Sequence, residues 1–440
     1  IKKGGKLGIY SELKERGFLK QETAPTQVVG SAKTFSVEDS LNNGKVTFYV
    51  GFDPTADSMH VGHLLPIMAM THLQRAGHVP IAIIGGGTTM IGDPSGKTEM
   101  RKMLSKEDIE ANGRKLLSQL KRYLVFGENQ GLFLNNAEWL LPLNYIEFLR
   151  DFGKYFKVNE MIRVEAYKMR LEQEQGLSFI EFNYQLLQAY DFLVLYEKYG
   201  CTVQMGGDDQ WSNILAGVDL IRRVTQGSAQ ALTFPLLTTA SGKKMGKTES
   251  GAVWLAPEKT SPYEYYQYWI NSDDRDVEKF LKLFTFLPLE EISSMCEAGG
   301  QQLRAAKQAL AFEATKITHG EEEAQKAQGA SQALFGNQGA DLSEVPSIAI
   351  SRSEIEKGLK LAEVLIRVGL SKSKTEATNL IIAGGIYVEN QPVTKAGTTM
   401  LEILGTATTL LLRKGKKTYL HRFITGAADY LGEQAKLLPP

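Results

Sequence analysis

The sequence predicts an α/β protein with a parallel sheet, a helical insertion in the sheet domain, a following α-helical domain and a small α+β module. Short apolar strand-like runs alternate with longer helical patterns in two separated stretches, 46–124 and 201–239. This alternation is typical of parallel strands joined by crossover helices. The pattern becomes mainly helical after Ser261, and after Gly358 two amphipathic helical patterns precede three strand-like runs.

The length of 440 residues predicts two or three domains, because one hydrophobic core rarely serves so long a chain. Hydrophobic residues make up 43% and charged residues 23%, which excludes a fibrous or disordered protein. The 50 Lys and Arg residues balance the 50 Asp and Glu residues. A nucleic-acid partner would therefore have to bind a local basic surface.

Two features bear on the cellular compartment. The two cysteines, Cys201 and Cys296, supply neither a disulfide framework nor a Cys/His zinc cluster, which fits a reducing compartment. No apolar run reaches the ~20 residues that a membrane helix needs, so we expect a cytoplasmic protein without a membrane partner. The chain begins at Ile1 rather than Met, which leaves open a presequence removed from a longer precursor.

The first half of the sheet is predicted from three consecutive patterns. Residues 46–52 (VTFYVGF) and 80–86 (PIAIIGG) indicate strands, and the helical pattern 63–77 lies between them. A further helical periodicity follows around 116–124. These elements form a strand–helix–strand unit, which calls for a parallel pair.

The second half repeats this order. Residues 201–207 and 231–239 indicate strands on either side of the helical pattern 208–224. The intervening stretch, about 140–185, is mostly helical in pattern. We interpret it as an insertion into a split nucleotide-binding fold.

The remaining chain divides by composition. We predict the sheet domain at 1–242, a basic loop and helical domain at 243–328, a linker rich in Gly, Ser and Gln at 329–357, and the terminal module at 358–440. Between 351 and 422 there are 12 basic and 6 acidic residues. This local surplus favours a polyanionic partner, because basic side chains at phosphates release counterions.

The strongest local motif is FYVGFDPTADSMHVGH, residues 48–63. A predicted strand leads into a turn at Asp53, and His60 and His63 then flank the start of a helix. Free main-chain N–H groups and the helix dipole attract phosphate there, and histidines donate hydrogen bonds to its oxygens. A single histidine is more often structural, but a pair around Gly62 favours a nucleotide site, since glycine leaves room for a base or ribose.

Two short motifs carry a family resemblance. His60-Val61-Gly62-His63 resembles the HIGH signature of class I aminoacyl-tRNA synthetases, and Lys244-Met245-Gly246-Lys247-Thr248 resembles their KMSKS loop. GDPSGKTEMR, FNYQLLQAYDFL and QMGGDDQWSN extend the similarity to the bacterial type of tyrosyl-tRNA synthetase over nearly the whole chain. The resemblance implies a Rossmann-like catalytic domain, an anticodon-side helical domain and a C-terminal RNA-binding module.

The resemblance implies a set of residues that stabilise charge on the phosphates during catalysis. They are Thr55, His60, His63, Lys97, Arg101, Lys244, Lys247 and Thr248. Taken alone, GKKMGK is more typical of a solvated basic loop. Its position after a predicted strand in the second half of the sheet favours the catalytic interpretation.

The resemblance also implies a tyrosine pocket. A site that selects tyrosine over phenylalanine needs buried polar groups that pair with the phenol. The implied residues are Tyr49, Asp93, Tyr184, Gln188, Asp191 and Gln210. Tyr184, Gln188 and Asp191 are separated by four and three positions, a spacing that puts them on one face of a helix. Asp191 alone could equally be a surface acid, but its apolar surroundings favour a buried, paired carboxylate.

The ATP-binding residues follow from the same resemblance. They are Gly51, Asp53, His60, Gly62, His63, Gly207, Asp209 and Lys247. Asp209 is expected to accept hydrogen bonds from the ribose. We expect its neighbour Asp208 to cap the helix that follows.

The resemblance implies a two-step reaction. Tyrosine and ATP give tyrosyl-adenylate and pyrophosphate, and the tyrosyl group then passes to the 3′-terminal ribose of tRNA(Tyr). Magnesium is expected to arrive with ATP, without a tightly bound protein-ligated metal. The family also forms homodimers, here through the insertion around Phe179. Two alternatives remain open at this point: a tryptophanyl-tRNA synthetase, and an RNA-binding protein derived from a synthetase.

Overall fold

The computed structural model describes residues 8–27, 34–95, 104–164, 167–168, 171–172, 176–242, 245–248, 251–297, 300–335, 347–389, 391–405, 409–415 and 418–425. Its contacts divide the chain into two compact units. The first comprises Ile1–Lys247, Ala252–Ala256 and Arg275–Gly299, and the second comprises Thr248–Gly251, Pro257–Asp274 and Gly300–Pro440.

The described residues form the following elements. The strands are β1 (Gln21–Glu22), β2 (Thr26–Gln27), β3 (Thr34–Phe35), β4 (Thr47–Phe52), β5 (Val79–Ile84), β6 (Leu132–Asn135), β7 (Cys201–Gly207), β8 (Gln230–Phe234), β9 (Lys247–Thr248), β10 (Gly251–Ala252), β11 (Ser347–Ile350), β12 (Ile386–Val388), β13 (Gln391–Val393), β14 (Thr409–Lys414) and β15 (Thr418–Thr425). The α-helices are α1 (Ile9–Arg16), α2 (Val37–Asn43), α3 (Leu64–Arg75), α4 (Thr88–Ile91), α5 (Lys106–Leu120), α6 (Ala137–Leu140), α7 (Tyr145–Asp151), α8 (Val158–Met161), α9 (Phe179–Phe182), α10 (Tyr184–Tyr199), α11 (Trp211–Thr225), α12 (Pro262–Ile270), α13 (Val277–Phe284), α14 (Leu289–Glu297), α15 (Gly300–His319), α16 (Glu321–Phe335), α17 (Arg352–Glu356), α18 (Leu361–Arg367), α19 (Lys374–Ile382) and α20 (Met400–Leu404).

The first unit is built on a six-stranded sheet in the order β1-β8-β7-β4-β5-β6. The pairs from β8 to β6 are parallel, and β1 adds an antiparallel edge. From β4 the chain proceeds to β5 and β6 on one side, and later to β7 and β8 on the other. The order therefore reverses between β4 and β7, where parallel sheets bind ligands at the carboxyl ends of their strands.

Burial explains why β4 and β5 are so apolar in sequence. All but one residue of β5 are buried, as expected for a strand with helices on both faces. Helix α10 packs one face of the sheet through Phe192 and Leu193, which are at most 1% exposed, against Tyr49 and Ile81. Burying a phenylalanine side chain contributes about 1.5–3 kcal/mol, so Phe192→Ala should cost about 3–5 kcal/mol with its cavity.

Helices α6 to α9 lie between β6 and β7 and occupy the region predicted as an insertion. Their interior is a small apolar cluster around Phe148, Met161, Tyr167 and Leu186. The capping box at Ser178, whose side chain accepts from the main-chain N–H of Glu181, starts α9.

The helical part of the second unit contains α12, α15 and α16. Ser261 and Pro262 start α12 as the sequence predicts: the serine accepts from Glu264 and the proline occupies the first turn. The Tyr265 hydroxyl lies 3.0 Å from Thr318 Oγ1, which joins α12 to α15. Buried hydroxyls are thus paired between the helices.

The C-terminal module of the second unit has a five-stranded sheet in the order β11-β15-β14-β12-β13. Helices α17 to α20 contribute to its core, where Leu361, Val364, Ile386 and Leu412 are fully buried. The α+β character predicted for the terminal module is confirmed.

The predicted fold class is confirmed, and the differences lie at element ends. The strand predicted at 231–239 ends at Phe234, and the helix predicted around 116–124 is the end of α5. The predicted domain boundaries stay a prediction, and the region 329–357 contains the end of α16 together with β11 and α17. Within the described ranges, no helix combines the length and apolar character needed to cross a membrane.

Candidate active site

His60 and His63 lie where β4 leads into α3. His60 precedes a 3₁₀ turn, Val61–His63, that runs into the helix. The Nδ1 atom of His60 accepts from the Gly62 main-chain N–H at 3.0 Å, and Nδ1 of His63 accepts from the His60 main-chain N–H at 3.1 Å. With Nδ1 accepting, a neutral imidazole carries its proton on Nε2. Each of the two rings therefore carries an Nε2–H group, which is the kind of donor that can bind a phosphate oxygen.

The loop at 245–247, part of the motif that resembles KMSKS, packs its main chain against this turn. Gly246 has a φ of 77°, which favours glycine, and an added Cβ would lie 3.0 Å from the Gly62 nitrogen. The Gly246 carbonyl accepts from Val253 N–H, and the Val253 carbonyl accepts from Val61 N–H, both at 2.9 Å. Residues 245–247 and the histidine motif thus form one continuous main-chain arrangement within the first unit.

Several of the predicted catalytic residues lie outside the described part of the chain. Lys97, Arg101 and Lys244 lie outside the described residues, and so do the side chains of Lys247 and Thr248. Thr55 is exposed beside the turn, where its N–H donates to the Asp53 carbonyl at 2.8 Å. Their roles stay predictions.

Asp53, which follows β4, receives hydrogen bonds on both carboxylate oxygens. Thr88 Oγ1 donates to Oδ1 at 2.9 Å, and the Tyr184 hydroxyl donates to Oδ2 at 3.0 Å. An added Cβ on Gly85 would lie 1.9 Å from Oδ1, so glycine is needed there for the carboxylate to fit. Burial, followed by the charge of Asp53, raises the pKa of Tyr184. A hydrogen bond therefore joins a residue predicted to bind ATP, Asp53, to a residue predicted to bind tyrosine, Tyr184.

Asp191 on α10 is a buried carboxylate, 4% exposed, with two neutral donors. Asn136 Nδ2 donates to Oδ2 at 2.9 Å and Trp139 Nε1 donates to Oδ1 at 2.7 Å. Burial raises the pKa of Asp191 to about 7, and these two hydrogen bonds act in the opposite direction. The sequence interpretation missed Asn136 and Trp139, although Asn136 directly follows β6 at the ligand-binding edge of the sheet.

Tyr49 on β4 lies close to Asp191. Its ring packs edge-on against Phe192 with centroids 5.3 Å apart, and its buried hydroxyl has no hydrogen-bond partner. Burial, followed by the negative charge of Asp191, raises the pKa of Tyr49. Gln204 lies opposite Tyr49 in the pairing of β4 with β7, and its Oε1 is also buried without a partner. Buried polar atoms without partners are rare in folded proteins and need an explanation.

A second polar group surrounds Asp93. Gln210 Nε2 donates to Asp93 Oδ2 at 2.7 Å, and the Ser95 main-chain N–H donates to Oδ1 at 2.9 Å. Asn213 Nδ2 donates to Gln210 Oε1 at 3.2 Å and orients that amide. Oε1 of Gln188, one helical turn from Tyr184, is buried without a partner.

The carboxyl end of β7 leads into the turn that the sequence predicts to bind the nucleotide. An added Cβ on Gly207 would lie 2.5 Å from Asp209 Oδ1, so that carboxylate folds back over the glycine. The same Cβ would lie 3.6 Å from the Leu236 side chain, which is 60% exposed. The sequence interpretation missed this apolar surface. Gly51, at the end of β4, is exposed and has no atom near an added Cβ.

The expectation that Asp208 caps a helix is wrong. The 3₁₀ turn Asp208–Gln210 begins after Gly207, and α11 begins after Gln210 without a side-chain cap. Asp208 Oδ1 instead accepts from Thr233 Oγ1 at 2.9 Å and from Gln21 Nε2 at 2.6 Å. Both partners come from neighbouring strands, and tertiary hydrogen bonds have replaced the local one.

Two chemically distinct groups of side chains therefore lie within the first unit. One offers a hydroxyl and a carboxylate in a buried apolar setting, and the other offers acceptors, imidazole donors and a helix start. Among the described residues, no group of three or more His, Cys, Asp and Glu side chains is arranged to hold a metal ion.

Comparison with known proteins gives a consistent result. The family described as class I tRNA synthetases (W and Y) matches residues 41–336, and the SYY-like C-terminal domain of tyrosine–tRNA ligases matches residues 337–421. A tyrosine–tRNA ligase of Clostridium tetani is 51% identical over 411 residues, 93% of this chain and 98% of the relative. The enzyme of that name from Clostridium botulinum (strain 657) is 52% identical over 413 residues, 94% and 98% of the two chains.

A solved structure agrees. A C-terminally truncated mitochondrial tyrosyl-tRNA synthetase of Aspergillus nidulans superimposes with a TM-score of 0.65 and 32% sequence identity. The match covers 74% of this chain and 94% of that one.

Proposed function

The chain belongs to the tyrosine–tRNA ligases of the class I tRNA synthetase family, and from this premise we propose which of its residues carry the reaction. The enzyme activates L-tyrosine with ATP to give tyrosyl-adenylate and pyrophosphate, and then transfers the tyrosyl group to the 3′-terminal ribose of tRNA(Tyr). The tryptophanyl alternative and the alternative of an RNA-binding protein without catalysis are set aside by this membership.

Tyr49 and Asp191 recognise the phenol of the substrate. The observation that carries this assignment is the unpartnered Tyr49 hydroxyl beside a carboxylate whose two known donors leave lone pairs available. The substrate hydroxyl donates to Asp191 and accepts from Tyr49. Phenylalanine would leave the Tyr49 hydroxyl buried and unpaired, which costs about 1–3 kcal/mol, and would remove one of the hydrogen bonds to Asp191.

Asp93, Tyr184 and Gln188 accept hydrogen bonds from the substrate ammonium. Their carboxylate, phenolic and amide oxygens are acceptors, and Oε1 of Gln188 is buried without another partner. Gln210, bonded to Asp93, contacts the substrate carboxyl group. The substrate carboxylate is thereby oriented for attack.

The chemical step is an in-line displacement at the α-phosphate of ATP. A carboxylate oxygen of tyrosine forms a bond to phosphorus, the bond to the bridging oxygen breaks, and pyrophosphate leaves with the electron pair. The Nε2–H groups of His60 and His63 donate to the phosphate oxygens as charge accumulates. Thr55 and the cations at 97, 101, 244 and 247 assist by family resemblance, and no protein nucleophile takes part.

The nucleotide binds along the histidine turn and the end of β7. Asp209 accepts from the ribose hydroxyls, and Leu236 offers its exposed side chain to the base. Gly51, Gly62 and Gly207 leave room for the ribose and phosphates. Asp53 is held rigidly at the junction with the tyrosine pocket. Magnesium enters with ATP, bound mainly through phosphate oxygens and water.

A homodimer forms through the insertion. Of the 14 large hydrophobic side chains that are exposed among the described residues, eight lie between positions 141 and 180. They are Leu141, Tyr145, Ile146, Val158, Ile162, Leu171, Phe179 and Ile180. Such a concentration supports an interface with a second copy. The bacterial origin of the relatives supports a cytoplasmic location.

Tyrosine-dependent exchange of pyrophosphate into ATP tests the site assignment. The wild-type chain should exchange with tyrosine and not with tryptophan or phenylalanine. Asp191→Asn should raise the KM for tyrosine about tenfold or more, with the KM for ATP nearly constant. Asp219→Asn, the same change at a carboxylate that is 40% exposed on α11, is the matched control. Equal effects of Asp191→Asn on both substrates would overturn the assignment.

The dimer is tested by mass measurement. Phe179→Asp places a charge on a side chain that is 69% exposed, and should shift the light-scattering mass from two chains to one. Val125→Asp, 56% exposed outside the insertion, should leave it unchanged. A wild-type mass of one chain would contradict the dimer.

A further inference from the structure

The N-terminal strand β1 closes the edge of the catalytic sheet next to the nucleotide turn. Gln21 lies opposite Thr233 of β8 in antiparallel register. The Lys20 N–H donates to the Thr233 carbonyl at 2.8 Å, and the Thr23 N–H donates to the Ala231 carbonyl at 3.1 Å. The main chain on both sides of Gln21 is therefore fixed to β8.

The Gln21 side chain reaches beyond this pairing to the turn that follows β7. Its Nε2 donates to Asp208 Oδ1 at 2.6 Å, and Thr233 Oγ1 donates to the same oxygen at 2.9 Å. The Gln21 main-chain N–H in turn donates to Thr233 Oγ1 at 3.1 Å. Three residues thus form a closed hydrogen-bonded ring, and Thr233 is completely buried within it. Bonds to a carboxylate are stronger than neutral ones, so the ring holds Asp208 firmly.

Asp208 immediately precedes Asp209, whose carboxylate folds over Gly207. A displacement of Asp208 would therefore move the acceptor proposed for the ribose. We infer that Gln21 is a positioning residue for ATP: through Asp208 it holds the turn that presents Asp209 to the ribose hydroxyls. The inference rests on the ribose role proposed above for Asp209.

The other end of the N-terminal segment is also anchored. Arg16, at the end of α1, donates to the carbonyls of Lys282, Thr285 and Leu287. Gln21 is thus presented by a segment that is tied down on both sides. Such supporting contacts keep binding groups within the narrow range of geometry that recognition requires.

Two substitutions of Gln21 test the inference in the full chain by pyrophosphate exchange. Gln21→Ala removes the donor and should raise the KM for ATP about threefold to tenfold, with the KM for tyrosine within about twofold. Gln21→Glu places a second carboxylate beside Asp208 Oδ1 and should raise the KM for ATP further than Gln21→Ala does. Lys20→Ala, which keeps its main-chain bond to β8 and changes only an exposed side chain, should behave as wild type.

Asp208 offers a rescue experiment. Asp208→Ala should raise the KM for ATP like Gln21→Ala, whereas Asp208→Asn keeps an Oδ1 acceptor and should restore a KM near the wild-type value. The effect should also depend on the ribose. The comparison is repeated with 2′-deoxy-ATP and with 3′-deoxy-ATP in place of ATP. For at least one of them the KM of Gln21→Ala divided by the KM of wild type should fall towards one, because Asp209 then has no hydroxyl to bind.

The outcomes separate this inference from the proposed function. If Asp209→Ala leaves the KM for ATP unchanged, the ribose assignment itself fails. If Asp209→Ala raises that KM but Gln21→Ala and Gln21→Glu do not, only the positioning role is overturned. A parallel rise in the KM values for ATP and tyrosine, accompanied by a lower melting temperature, would also overturn it, because a purely structural edge strand predicts that result.

Discussion

The indole Nε1 of Trp139 donates a hydrogen bond to Oδ1 of Asp191 across 2.7 Å, from the helix after β6 to the middle of α10. Asn136 occupies the other carboxylate oxygen and also donates to Thr88 Oγ1 at 3.0 Å. The carboxylate that we propose to bind the phenol is therefore held by two neutral donors from the end of β6 and the helix that follows it.

Trp139→Phe keeps an aromatic ring and removes this donor. A hydrogen bond to a charged group is worth about 1.5–3 kcal/mol, so the KM for tyrosine should rise about tenfold or more. The KM for ATP should stay within about twofold, because the nucleotide contacts are unchanged. Steady-state exchange kinetics, with each substrate varied in turn while the other is saturating, measure both KM values. A change in the KM for ATP alone would show that Trp139 acts elsewhere.

The pH dependence of tyrosine binding should report the carboxyl group of Asp191. Its pKa is raised to about 7, chiefly by burial, so the group takes up a proton as the pH falls below 7. The protonated form must donate a hydrogen bond, yet Asn136 and Trp139 already direct donors at both oxygens. We expect kcat/KM for tyrosine to fall by up to about tenfold per pH unit below that value. Asp191→Asn should lack this dependence.

The raised pKa of Asp191 also makes the stability of the fold depend on pH. The folded chain keeps a proton on Asp191 that the unfolded chain releases near its ordinary pKa. The unfolded state therefore binds fewer protons between about pH 4 and pH 7, and stability contributed by this group falls as the pH rises through that window. Measured relative to Asp191→Asn, the melting temperature of the wild type should fall between pH 5 and pH 8. A rise over that range would contradict the direction of the shift.

Tyr49→Phe should separate stability from specificity. The buried hydroxyl has no partner without substrate, so removing it should leave the melting temperature unchanged or slightly higher. The preference for tyrosine over phenylalanine should fall about tenfold, since one of the two phenol contacts is lost. Adenylate formation with each amino acid measures the preference. A strongly destabilised variant would show that the hydroxyl has a structural partner in solution.

His72 on α3 is buried between aromatic rings and is neutral at neutral pH. Burial, followed by the charges of Arg16 and Arg75, lowers its pKa to about 3, so the 3.6 Å approach of its Nδ1 to Glu12 is not an ion pair. The unfolded chain binds a proton here below about pH 6.5, and the folded chain does not. Stability contributed by His72 is therefore complete above pH 6.5 and is lost as the pH falls.

His72→Phe removes this titration. Between pH 7 and pH 5 the wild type should lose about 2 kcal/mol relative to the variant. Thermal unfolding of both proteins at the two pH values measures the change. Subtracting the difference in stability between the two proteins at pH 7 removes any effect of the substitution on packing. Parallel pH dependences would mean that His72 is accessible to protons in the folded chain.

Local chemistry explains what the sequence reveals about this protein. The start of α12 is predictable because Ser261, Pro262 and Glu264 act within one turn, and β5 is predictable because its apolar run is continuous. The role of Asp208 is not predictable from the sequence, because its partners Gln21 and Thr233 are 187 and 25 positions away. A helix cap is the best local interpretation of such an acid, and only the folded sheet supplies the alternative.

The proposed tyrosine pocket shows the same limit. Tyr49 and Asp191 could be predicted through a family resemblance, since residue types at motif positions carry it. Asn136 and Trp139 belong to no such motif, and they meet Asp191 from 55 and 52 positions away. Their contribution depends on where β6 ends relative to α10, which a pattern of hydrophobic residues does not specify.

Arg16 joins α1 to the end of α13. The guanidinium is 4% exposed and donates to the three carbonyls of Lys282, Thr285 and Leu287, with Glu12 as its charged partner at 3.1 Å. Carbonyls at a helix C-terminus carry partial negative charge and have no partners within the helix. Arg16→Met keeps the apolar stem but leaves these carbonyls unpaired, at a cost of about 3 kcal/mol or more.

The melting temperature should fall by about 6 °C or more in Arg16→Met. Arg16→Lys should recover less than half of the loss, because an ammonium cannot reproduce the planar fork that reaches several carbonyls. Lys14→Met, on the exposed side of the same helix, is the control and should melt with the wild type. If Arg16→Lys were as stable as wild type, charge alone would hold this junction, and the geometry of the guanidinium would not be required.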